Sequence, residues 1–138
     1  MAFTGNYTCN TFKLGLASAD FDFATGTTDV FKIALYTNAA TLDETTSAYT
    51  TDGEVSASGY SAGGEVLAPS VSISDGVSFI DFADVSWSGA FTARGALIYK
   101  NGGAAICVLD FGSDKTSTST FQVQFPPNTS TSALIRIG

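Results

Sequence analysis

The apolar positions of this chain recur mostly with a period of two, as they do in strands whose side chains alternate between two faces. The pattern is clearest in residues 79–114. Phe91, Ala93, Leu97 and Tyr99 share one parity there, and Ala105, Cys107, Leu109 and Phe111 the next, with Lys100-Asn101-Gly102-Gly103 between them. Alternation on both sides of a glycine-rich turn predicts a β-hairpin. Upstream, residues 30–36 (VFKIALY) place Phe31, Ile33 and Leu35 on one face and Lys32 on the other, a second predicted strand. Residues 65–67 and 71–73 flank Pro69, whose missing N–H confines the stretch to a sheet edge or splits it into two short strands. After the turn signal Asp75-Gly76, Val77 and Phe79 alternate, Ile80 and Phe82 take the opposite parity, and Val85 and Trp87 return to the first. That change of parity predicts a bulge near Asp81. Phe121, Val123 and Phe125, then Ala133, Ile135 and Ile137, complete the alternating segments.

Other segments are less regular. Phe3, Tyr7, Phe12, Leu14 and Leu16 alternate weakly, which suits an edge strand or an extended arm over residues 1–12. The aromatics Phe3, Tyr7 and Phe12 either fill a groove on a partner or cap the core. Residues 17–29 form a polar loop that tucks Phe21 and Phe23 inward. Residues 37–64, rich in Thr, Ser, Ala and Gly, are a long ordered excursion packed by its own aromatics, and its Tyr49 and Tyr60 are further candidates for partner contact. The sum is about eight short strands separated by turn signals, in an all-β domain spanning 1–138, a jelly-roll-like or Greek-key β-sandwich.

Composition agrees with that class. Of 138 residues, 44% are hydrophobic and only 14% charged, so Ser and Thr fill polar positions where a helical protein would carry Glu, Lys and Arg. The net charge is −7 and the six basic residues stand singly, leaving no cluster to neutralise phosphates; nucleic acid is not an expected partner. No stretch has the length and apolarity of a membrane-spanning helix and the start lacks a secretory pattern, so the expectation is a soluble protein made in the cytosol, without a membrane partner. Cys9 and Cys107 are too few for a disulfide scaffold; buried free thiols are expected, with pairing open only if the amino-terminal segment lies beside the strand of Cys107.

Catalytic sets are sparse. The chain has no histidine, which removes Ser-His-Asp and Cys-His arrangements and the commonest zinc ligand. Asp110-Phe111-Gly112 matches the metal-binding tripeptide of kinases without any of its companion motifs. Asp81 and Asp84 are a minor candidate pair for a glycosidase, although residues three apart on a strand point to opposite faces. Asp20 with Asp22, or Asp110 with Asp114, falls short of the ligand density of a calcium loop. The expected protein is therefore not an enzyme and needs no cofactor or metal.

Five stretches, MAFTGNYTC, FKIALYTNAATLD, EVSASGYSAGG, DFADVSWSGAFTARGALIY and VLDFGSDKTST with the following FQVQFP, resemble in order and spacing a family of small virion structural proteins of tailed bacteriophages. Its better-defined members are capsid cement, or decoration, proteins. The resemblance implies a jelly-roll-like subunit, often a dimer or trimer, assembled in the host cytoplasm. It would bind the major capsid protein on the outside of the shell at junctions between capsomers. It assigns no binding residue. A tail or fibre adhesin domain that binds surface carbohydrate through exposed aromatics is the alternative.

Overall fold

The computed structural model describes residues 3–138. Among them the elements run β1 (Tyr7–Thr8), α1 (Asn10–Ala17), β2 (Phe31–Tyr36), β3 (Glu65–Leu67), β4 (Pro69–Ser74), β5 (Val77–Phe82), β6 (Val85–Ser88), β7 (Thr92–Lys100), β8 (Ala105–Thr116), β9 (Thr120–Val123) and β10 (Ile135–Ile137). The strands form three antiparallel sheets, ordered β1-β8-β7-β2-β3, β10-β5-β4 and β6-β9. The fold is all-β, as the alternation predicts.

The five-stranded sheet is buried on both faces. On the first, Phe31, Ile33, Leu35, Leu67, Ala96 and Ile98 meet Ile80, Phe82, Trp87, Phe121 and Val123 of the two smaller sheets. On the second, Ala34, Tyr36, Leu97, Tyr99, Ala105 and Val108 lie beneath Phe3, Cys9, Ala40 and Leu42. No third sheet covers that face. The amino-terminal segment and the 37–64 excursion do so, and this is why Ile33 to Tyr36 are buried without interruption.

The hairpin of β7 and β8 is present, closed by Lys100 N–H to Ala104 O at 3.0 Å and Gly103 N–H to Lys100 O at 2.8 Å. Its side chains do not keep one parity. Ile98 pairs with Cys107 but Tyr99 with Ala105, so Ile106 is an extra residue that turns Ala105 toward the second core while Ile106 and Cys107 enter the first. A wider irregularity sets Arg94 alone against residues 111–114, between the pairs Ala93–Lys115 and Gly95–Asp110. There Arg94 bridges to Asp110. Burial pushes the Asp110 carboxyl up, but the Gly112 N–H and the Arg94 guanidinium outweigh it and hold the group below the ordinary range. Near Asp81, where alternation predicts a bulge, the chain changes sheets instead. β5 ends at Phe82, and β6 begins at Val85 in the two-stranded sheet. The split at Pro69 is as expected, since β3 belongs to the large sheet and β4 to the three-stranded one.

Of the two forms expected of the amino-terminal segment, an edge strand or an extended arm, the described residues from Phe3 onward include an edge strand, β1, and then a helix. Tyr7 and Thr8 pair with Val108 and Cys107, and a helix begins at Asn10. α1 has no side-chain cap and is too short to stand alone. It persists because Phe12 and Gly15, one turn apart, face inward. A Cβ on Gly15 would lie 2.2 Å from the Phe21 ring, so glycine is what lets the 17–29 loop fold back. As expected, that loop delivers Phe21 and Phe23, the latter stacked on Phe31 with centroids 4.5 Å apart.

Because Phe3 is 1% exposed within the second core, Phe3→Ala should destabilise the fold by about 3–5 kcal/mol. Urea denaturation followed by circular dichroism measures this. An unchanged midpoint would mean that the amino-terminal segment is not part of the core.

Candidate interaction surface

The five aromatics singled out in the sequence separate into two groups, and neither forms an exposed patch. Phe3 and Phe12 are buried, in different cores, and the Arg94 guanidinium lies 5.6 Å above the Phe3 ring. Tyr7 is half-buried in β1. The amino-terminal aromatics therefore cap the cores, the second of the two roles their pattern allowed; a surface contact through Phe3 or Phe12 would need the fold to open.

Tyr49 and Tyr60 belong to a network that fastens the excursion to the central sheet. The Tyr49 hydroxyl donates to Glu54 Oε1 at 2.7 Å, the Tyr60 hydroxyl to Glu54 Oε2 at 2.6 Å, and Gly63 N–H to the same Oε2 at 2.8 Å. Leu35 N–H donates to the Tyr60 hydroxyl at 2.9 Å. Two further hydroxyls, Tyr36 and Tyr99, donate to Thr50 O and Gly63 O, each at 2.7 Å. Tyr49 also stacks on Tyr99 at 5.0 Å. Where the excursion rejoins the sheet, Gly64 has φ +78°, and a Cβ there would sit 1.7 Å from Ile33 O, so only glycine fits. The arrangement is a carboxylate saturated by donors, built to hold a loop.

The pair Asp81 and Asp84 is likewise engaged. Asp81 Oδ1 accepts Phe82 N–H at 3.0 Å, and Asp84 Oδ1 accepts Phe125 N–H at 2.8 Å. Burial and then the Asp84 carboxylate push the Asp81 carboxyl up, against the pull of the Phe82 and Leu134 N–H groups. Both carboxylates serve the sheet change at residues 83–84. Cys9 and Cys107 are free and buried, as expected, and burial pushes Cys9 up to about 11 and raises Cys107 as well. No group of three or more His, Cys, Asp or Glu placed to hold a metal occurs among the described residues.

Leu14, Leu16, Val30 and Val66 are exposed on separate elements, but three exposed apolar side chains share one sheet face. In the β10-β5-β4 sheet, Val71, Ile80 and Ile135 form one cross-strand row, and Ile73, Ser78 and Ile137 the next on the same face. Ile80 reaches the first core, but the outer row does not, with Ile73 75% and Ile137 49% exposed, and Val71, at the β4 end of the inner row, is 44% exposed. The β4–β5 hairpin thus carries its core-type face past the end of the core. Alternation puts Val71 with Ile73, and Ile135 with Ile137, on shared faces but does not show where the core stops. A second, open groove of about 430 Å³ runs between the end of β8 and β9, over Phe111 and Phe121 and beside Lys115 and Gln122.

No protein-family model, curated protein or solved structure matches the chain. The resemblance to phage virion proteins accordingly rests on the five stretches alone.

Two outcomes are expected of the tyrosine network. Glu54→Ala strands the buried Tyr60 hydroxyl and should cost about 2–3 kcal/mol in urea unfolding. On alkaline titration, Tyr36, Tyr49, Tyr60 and Tyr99 should resist ionisation near the ordinary value of about 10. Burial first and Glu54 second raise all four, Tyr99 to about 12. The folded state then holds more protons than the unfolded one above about pH 10, so stability must fall as pH rises. The tyrosinate absorbance of these four should appear together with loss of β circular dichroism. Ionisation of these four in a still-folded protein would contradict the network.

Proposed function

We propose that the chain is a structural protein of a tailed-phage virion, a cement protein that binds the outer capsid shell and bridges capsomers of the major capsid protein. The observation that supports this most is the exposed face of Val71, Ile73 and Ile137. It is an apolar, uncharged surface on a projecting hairpin, of the kind that serves contact with another protein. The resemblance of the five stretches supplies the identity of that protein. A cement protein acts through many copies, each adding a modest contact across a capsomer seam, so a small patch suffices where one isolated site would not. The soluble subunit keeps its net charge of −7 over the rest of its surface.

The adhesin alternative draws less support. Tyr36, Tyr60, Trp87 and Tyr99 are buried, and Tyr49 is spent on Glu54 and Tyr99, so these rings do not form an outward platform for a sugar.

Ile137 lies on β10, away from the β4 edge, which makes it the cleanest probe of the face. Ile137→Lys should abolish co-sedimentation of the purified protein with capsid shells of the phage that encodes it, with the unfolding midpoint nearly unchanged. Co-sedimentation at wild-type level would remove this surface from the proposal. Quantitative mass spectrometry of virions tests the role itself. A copy number that scales with capsomer junctions fits cement, and the few copies of a tail component would sink it.

A further inference from the structure

The strand that carries the exposed face also carries a free backbone edge, and the two are separate features. β4 ends its sheet and, at six residues, is the longest strand at a sheet edge; β1, β3, β6, β9 and β10 have two to four. Which of its backbone groups point outward follows from the turn. Asp75 and Gly76 have φ of +54° and +77°, the left-handed pair of a type I′ two-residue hairpin, so Ser74 and Val77 exchange hydrogen bonds. Alternation then assigns Ser72 with Phe79, and Ser70 with Asp81, to bonded pairs. The 3.1 Å bond from Ala83 N–H to Ala68 O continues the same phase. Val71 and Ile73 are left with their N–H and C=O groups directed away from β5, and no hydrogen bond reaches them from any described residue beyond that pair.

Natural edges of this kind are blunted by lysine, internal proline or a bulge. The PSVSIS edge has none of these after Pro69. It is also free of charge, since no ionisable side chain occurs between Glu65 and Asp75, in a chain of net charge −7. For two copies that repel one another elsewhere, this is the segment along which they can approach.

We infer that β4 pairs with β4 of a second copy, antiparallel about a twofold axis at Ser72, joining the two three-stranded sheets into one of six strands. The register is selected by the strand itself. Centred on Ser72, Val71 of one copy faces Ile73 of the other and vice versa, so the outward N–H and C=O groups of both residues are used on both strands. Centring on Val71 sets Ile73 against Pro69, which has no donor, and centring on Ile73 sets Val71 against the turn residue Asp75. In the Ser72 register the two Asp75 carboxylates stand about six strand residues apart, roughly 20 Å, well beyond the ~8 Å screening length of physiological salt. Val71 and Ile73 lie on one face, so the apolar rows of the two copies meet across the seam. This pairing does not rest on the capsid proposal and is tested in solution without shells.

The central pair is non-bonded, which brings the two Ser72 Cα atoms to about 4.5 Å, within disulfide range. Ser72→Cys should therefore form a covalent dimer under mild oxidation, while Ser74→Cys, whose two copies lie apart in this register, should not. The buried native thiols stay silent. Sedimentation should give twice the chain mass for wild type. Val71→Pro removes an outward donor without touching the β4–β5 ladder, and Ile73→Lys places a charge at the seam. Each should weaken self-association at least tenfold with unchanged circular dichroism. A wild-type monomer across the dilution series overturns the proposal and gives the edge to another protein. A dimer indifferent to both substitutions, or Ser74→Cys cross-linking as readily as Ser72→Cys, overturns it as well.

Discussion

Burial of the β1-β8-β7-β2-β3 sheet on both faces is the constraint from which the rest of the structure follows. An antiparallel sheet ordinarily leaves one face to water. Here Tyr36, Leu97, Tyr99 and Val108 on the second face require a cover, and the chain supplies it without another sheet. Irregular backbone used as a covering layer brings its own polar groups against an apolar surface, and those groups must find partners. The Glu54 network does this. One carboxylate takes two tyrosine hydroxyls and a backbone N–H, and the tyrosines in turn hold Leu35, Thr50 and Gly63. Backbone bonds from Asn10 to Glu44, Thr37 to Gly53, Val55 to Leu35 and Ala105 to Ser47 close the remaining gaps. The excursion is long because it must cross the sheet, and it is ordered because crossing is possible only with those bonds made.

Local signals made the strands legible. The hairpin at Asn101-Gly102, the turn at Asp75-Gly76 and the break at Pro69 each depend on residues within a few positions of one another, and the fold has all three. The features that escaped depend on distant partners. Whether Ala105 faces one core or the other is decided by the extra residue Ile106, which nothing in AAICVLDF marks as extra. α1 escaped because Phe12, Leu14 and Leu16 alternate as in a strand, whereas the helix is selected by Phe12 and Gly15 meeting Phe21 and Phe23. The parity change after Ile80 was visible, but two physical causes, a bulge and a change of sheet, leave the same trace in sequence.

The exposed apolar face was illegible for a related reason. Aromatic side chains drew attention as candidate contacts, and in this chain they went inside, where their large area is most effective. The large exposed apolar residues are aliphatic, and two of them, Val71 and Ile73, sit in a segment whose V-S-I-S alternation looks like any half-buried strand. Alternation tells which residues share a face; it does not tell whether that face has a layer above it.

The body and the projecting sheet therefore differ in how far their needs are met. In the body, buried hydroxyls and carboxylates are bonded, the thiols are shielded, the Trp87 indole N–H is the one buried side-chain group without a partner among the described residues, and substitution at Gly64 or Gly95 would drive a Cβ to within 3 Å of backbone oxygen. Along β4 the backbone groups of Val71 and Ile73 and the side chain of Ile73 are left to solvent. A sequence that spends six hydroxyl and backbone donors on fastening one loop, yet places valine and isoleucine on an uncharged edge, is not short of means to blunt that edge. A lysine at Ser72, or a proline at Val71, would do so at little cost to the β4–β5 ladder, because the lysine keeps the backbone bonds to Phe79 and the Val71 N–H points away from β5. The open edge is thus a property that the packing of the domain tolerates without requiring. The proposed pairing gives that edge a role by setting it against the same edge of a second copy.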